Sequence, residues 1–145
     1  MNSDVEFAAW QMHMRAGNDC FEKRQTLTAI SHYNEAQYQA RCLIDLSENK
    51  SGAIAALIAS HHNLAEVYRN EAELELCEQA LCDALKAVDQ VLECCATDSA
   101  TYVAALHGKS TAYCALVHFR KIRSQGSPIP SQQPQWSHEN KHKLN

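Results

Sequence analysis

The first 123 residues contain no proline and only three glycines, Gly17, Gly52 and Gly108. A β-rich domain needs many turns, and turns draw on Gly, Pro, Asn and Asp. That scarcity excludes it. No apolar run approaches the ~18 residues of a membrane span. The opening "MNSDVEF" lacks the basic segment and apolar run of a secretion signal, so the expected location is cytoplasmic. Positive charge is also short: 13 Lys and Arg stand against 17 Asp and Glu, a formal charge of −4. Such a balance disfavours nucleic acid and anionic membrane as partners. The cysteines number seven. They sit mostly at apolar helical positions and are expected to be reduced core residues.

Alanine, leucine, glutamate and glutamine dominate instead, the composition of an all-α domain. At 145 residues and 46% hydrophobic, the chain can bury one real core. Periodicity predicts five helices. The first runs over about 4–21, with Val5, Ala9, Met12 and Ala16 on one face. The second runs over about 25–46, on Leu27, Ile30, Tyr33, Ala36, Ala40, Leu43 and Leu46. After the break "SENKSG", a third covers about 52–70 with Ile54, Leu57, His61, Leu64 or Ala65, and Tyr68. The fourth, about 73–95, carries the best stripe: Leu74, Cys77, Leu81, Ala84, Leu85, Val88, Val91 and Cys95. The fifth, about 98–122, carries Tyr102, Ala105, Leu106, Tyr113, Leu116 and Ile122. The domain is therefore 1–123. Residues 124–145, rich in Ser, Gln and Pro, read as an irregular tail anchored at most by Trp136. Residues 120–145 are basic, with five Lys or Arg against Glu139, which reads as a solubilising segment.

Short loops between consecutive helices imply antiparallel pairs. Gly17 sits at a small position of the first helix, and Ala29, Tyr33 and Ala36 follow as small, aromatic, small. "LAEVY" supplies Leu64, Ala65 and Tyr68, followed by Cys77, Leu81 and Ala84. In these positions the two pairs resemble degenerate tetratricopeptide repeats, where a small residue lets two helices approach to ~8–10 Å. His13 and His61 replace the family's Trp, Cys20 its Tyr, and Arg41 and Asp89 its closing Pro. Gly17 and Ala65 are 48 residues apart, against a family period of ~34. The resemblance implies a right-handed stack in which the fifth helix caps the second pair. An ordinary four- or five-helix bundle stays open as the alternative.

"ALHGKST" invites a phosphate-loop reading, but the first glycine of G-x-x-x-x-G-K-[ST] would fall on Val103. The stretch is helical throughout and has no preceding strand. Gly108 is better read as a crossing point for another helix or the tail, and Lys109 as solvent-facing. Histidine phosphotransfer domains, also helical, place Lys three and Gly four residues after their His. Here His107 is followed at once by Gly108 and Lys109, offsets that leave its helix face. Cys114 and His118 share a face at i, i+4, yet no C-x-x-C or H-E-x-x-H accompanies them. Glu66, Glu71, Glu73, Glu75 and Glu78 read as a solvated face. No catalytic constellation, metal site or cofactor site is expected.

Recognition is left. The resemblance implies that the first helix of each pair lines a groove for a peptide or helix. It carries that role onto Met14, Asn18, His62, Asn63, Glu66 and Arg69. Asn18 and Asn63 fall where some family members hold a C-terminal carboxylate, though Met14 stands in place of the accompanying lysine. The expected function is a non-catalytic protein-interaction module with a protein or peptide partner. A homodimer through the terminal helices or the tail is the expected assembly. A phosphotransfer protein using His107 is the alternative.

Overall fold

The computed structural model describes residues 2–126. The expected irregular tail from 127 onward, Trp136 included, lies outside the described residues. Five helices follow in order: α1 (Ser3–Glu22), α2 (Thr26–Leu46), α3 (Lys50–Asn70), α4 (Leu74–Cys94) and α5 (Ala100–Ser124). Among the described residues there is no strand. Each helix packs on the next, and α3 also packs on α5 and touches α1.

Local chemistry sets the ends. The side chains of Asn2, Asn49 and Ser99 accept from backbone amides at the starts of α1, α3 and α5, satisfying donors that a helix leaves open. The α1–α2 and α3–α4 turns are copies of each other. Gln25 N–H donates to Cys20 C=O at 2.8 Å, and Glu73 N–H to Tyr68 C=O at 2.9 Å. Between them sit Arg24 (φ 60°) and Ala72 (φ 59°), left-handed residues ending a helix by a Schellman-type closure. Arg24 and Ala72 are 48 residues apart, as are the starts of α2 and α4 and their ends. The spacing noted between Gly17 and Ala65 is thus also the spacing of these turns and helix ends. Its excess over ~34 is taken up by helices of 20 or 21 residues, because the intervening turns are short.

Two glycines bring helices together. A Cβ on Gly17 would lie 2.6 Å from Tyr33 Cε1, and one on Gly108 would lie 2.5 Å from Ile54 Cγ2. Gly108 is therefore a crossing point, and α3 is what crosses there. Steric closeness at these positions has a physical cost for any side chain, since cores resist overpacking.

Several expected faces are rotated in the structure. In α1 the inward residues are Trp10, Met14 and Gly17, with Phe7 and Phe21 partly buried beside them. Val5 and Met12 are instead 63% and 58% exposed. Leu27 at the start of α2 is exposed too. In α5 the inward face is Ala104, Ala105, Gly108, Ala112, Leu116 and Phe119, while Leu106 and Tyr113 point out. Close approach around Gly108 takes small residues from Ala104 to Ala112, while the large Leu116 and Phe119 are buried further along the same face. Helix α3 is buried on every side from Ile54 to Val67 apart from partly covered Ala55, far more than the one face expected. Of the seven cysteines, all free, Cys77 alone is buried; Cys94 and Cys114 are exposed and the other four half-buried.

Candidate functional site

The buried polar and charged residues among the described ones are Ser60, His61, His62, Asn63 and Glu66. All five lie within two turns of α3. An interior helix could satisfy packing with apolar side chains, so a polar run there is informative.

Its partners come mostly from α1. Trp10 Nε1–H donates to Ser60 Oγ at 2.8 Å. The Ser60 hydroxyl lies 2.7 Å from Ala56 C=O and 3.8 Å from Met14 Sδ. A turn further on, Asn18 Oδ1 accepts from Asn63 Nδ2 at 3.3 Å and from Tyr33 O–H at 2.6 Å. Burial pushes the Tyr33 phenol well above its ordinary pKa, so it stays a proton donor. Beyond Asn63, Glu66 pairs with Arg69 at 3.2 Å. The Arg69 guanidinium also lies 5.6 Å from the centre of the Phe119 ring of α5, within cation–π range. Burial also raises the Cys77 thiol pKa beside Arg69, outweighing that cation. Helices α1, α3 and α5 run in the same direction, and the row Asn18, Asn63, Glu66, Arg69 is built on the first two.

The six residues expected to line a groove are thus brought to one region, but not as an open trough. Met14 and Asn63 are fully buried, and His62 and Glu66 nearly so. Asn18 and Arg69 are the half-buried members. Met14 belongs to the core rather than to a recognition surface. Trp10, Tyr33 and Ser60 complete the arrangement and were not in the expected set. The signal for Trp10 was the spacing Phe7, Trp10, Met14, Gly17, Phe21, steps of three and four that outrank the stripe through Val5.

On the opposite side of α3, His61 is buried with neither ring nitrogen hydrogen-bonded. Burial, with the Arg41 charge adding to it, lowers its pKa to about 4. His13, 48 residues earlier, meets His32 of α2 at 3.3 Å between Nδ1 atoms. A separate cleft of about 320 Å³, lined by Arg41, Ile44, Leu57, Val91 and Cys94 among others, opens between α2 and α4. None of the six expected residues lines it.

The remaining sequence candidates separate. His107 is exposed, and Lys109 reaches Asp89 of α4 at 2.8 Å rather than standing beside it. The glutamates are not simply a solvated face. Glu75 and Glu78 hold Arg123 at 2.9 and 3.4 Å, Glu78 faces Arg120 at 3.6 Å, and Glu71 accepts from Thr26 at 2.8 Å. Glu75 and Glu78 tie the basic end of α5 to α4, and Glu71 ties the α3–α4 turn to the start of α2. Among the described residues no group of three or more His, Cys, Asp or Glu could hold a metal ion. No helix of the described residues is long and apolar enough to cross a membrane.

The fold and this polar row define an all-helical protein whose second and fourth helices, and the turns before them, stand 48 residues apart. Residues 8–135 match the model of the family described as "Protein of unknown function (DUF2753)", and the chain belongs to that family. No curated protein and no solved structure matches it.

Proposed function

We propose that the chain is a non-catalytic protein–protein interaction module of tetratricopeptide-like build. Its α1/α3 face would take a peptide or a helix of a partner protein. The observation that carries this reading is the confinement of buried polar residues to Ser60–Glu66 of α3, set against α1. Polar groups in such a place forgo apolar packing and must be matched by partners. They serve a surface that recognises hydrogen-bonding groups. The repeated turns at Arg24 and Ala72 and the glycine–tyrosine crossing support the repeat-like build. Asn18 and Arg69, the members of the row that keep some exposure (11% for the Arg69 side chain), would meet the partner first, with Asn63 and Glu66 behind them.

The test is affinity capture with the full chain, identification of the partner, and measurement of its Kd with purified components. Asn18→Ala and Arg69→Ala should each weaken binding about tenfold, or ~1.4 kcal/mol, while circular dichroism shows the fold intact. Unchanged affinity in both variants would remove the α1/α3 face as the binding site.

A further inference from the structure

Helix α5 is the last described element, and no other described helix packs on its outer face. Four large apolar residues there are exposed: Val103 (54%), Leu106 (46%), Tyr113 (56%) and Val117 (42%). With Ser110 between them they advance in steps of three, four, three and four. That rhythm makes a straight seam for a second helix. The opposite face of α5 is the one already committed to α3 and α4.

We propose that this seam pairs with the same seam of a second copy, antiparallel, about a two-fold axis near Ser110. Three observations select that occupant. The stripe is nearly palindromic, with valines at both ends, large residues inside them and the small Ser110 in the middle, as an isologous contact requires. Next, α5 contains no Asp or Glu, and its basic residues concentrate in the last turns, at Arg120, Lys121 and Arg123. Arg120 and Arg123 are held by Glu75 and Glu78 of the same chain, which leaves Lys121 as the cation for a second copy. A parallel pair would set the two Lys121 side chains against each other. An antiparallel pair instead lays Lys121 over the start of the other α5, where Asp98 is exposed. Finally, a shallow depression beside the stripe is lined by Asp89, Leu92, Glu93, Tyr102, Leu106 and Lys109. Lys109 already pairs with Asp89 there, and the apolar Leu92, Tyr102 and Leu106 are left to suit the partner copy's Tyr113. This surface is distinct from the α1/α3 face, so the two readings stand or fall separately. The seam from Val103 to Val117 is only ~21 Å long. That places the contact at the small end of specific interfaces, and the dimer depends on concentration.

Sedimentation velocity of the full chain from about 10 μM to about 1 mM tests this. A monomer–dimer equilibrium is expected. Leu106→Glu and Tyr113→Glu, both at exposed positions that should tolerate change, are each expected to raise the dimer Kd about tenfold or more. Asp98→Lys and Lys121→Glu should each weaken the dimer, and the double exchange should restore it. A monomer at every concentration, or a dimer indifferent to both glutamate variants, would overturn the proposal. Failure of the double exchange to restore would overturn the antiparallel arrangement. Partner binding at the α1/α3 face is measured independently and is not expected to change in the Leu106 variant.

Discussion

Gly17 lies directly beneath the ring of Tyr33, so close that a single added carbon would come within 2.6 Å of Cε1. The ring has little room to yield, because Tyr33 is fully buried and its hydroxyl is held by Asn18. Gly17→Ala is therefore expected to destabilise the fold by ~1–3 kcal/mol, measured by urea unfolding. Gly108→Ala should cost a similar amount against Ile54 and Ile58, whereas Gly126, with nothing within 4 Å, supplies no such clash.

Removing the hydroxyl of Tyr33 tests the asparagine pair. Tyr33→Phe keeps the packing against Gly17 but takes away the 2.6 Å bond to Asn18. The expected loss is ~1–2 kcal/mol. Urea unfolding of the variant beside the parent chain measures it.

His61 gives the stability a pH dependence. In the unfolded chain its imidazole protonates near the ordinary ~6.5; in the fold this is delayed to about 4. Between those values the unfolded state binds more protons, so stability falls as pH drops through that window. The contribution at stake is of order 3 kcal/mol. His61→Leu should flatten this part of the profile and raise stability at neutral pH by ~1 kcal/mol, because an unsatisfied buried polar group is replaced. A denaturation series from pH 7 to pH 4 on both proteins checks it.

The two left-handed turn residues carry strain that glycine would relieve. Ala72 at φ 59° is the simpler case, as its side chain is exposed. Ala72→Gly is expected to stabilise by up to ~1 kcal/mol, the relief of left-handed strain partly offset by the freer unfolded chain. Arg24→Gly should behave alike. A shift of the thermal midpoint in the opposite direction would show the turn to be unstrained.

Much of this architecture was legible in the letters. Five helices follow from spacing, and their ends fall within two residues of expectation; the caps at Asn49 and Ser99 set two of the starts. The faces were harder. In α1 two stripes compete, and the one through Trp10 and Met14 wins because it buries larger side chains. In the first half of α5 the small residues go inward, since α3 comes so near at Gly108 that nothing larger fits there. Periodicity reports only that large residues recur; it does not say which side a neighbour approaches. The polar row was half visible. Asn18, Asn63, Glu66 and Arg69 were named through the resemblance. Ser60 and the Tyr33 hydroxyl were not, as their role depends on helices separate in sequence.

The all-round burial of α3 has a bearing on how the chain comes apart. Repeat proteins usually lose their units one after another, because each touches only its neighbours. Here both pairs and α5 use the same central helix, so neither pair can leave without uncovering it. Unfolding should then be a single cooperative step. The amides of residues 54–67 should exchange only through global opening, slower than those of α1 or the ends of α5.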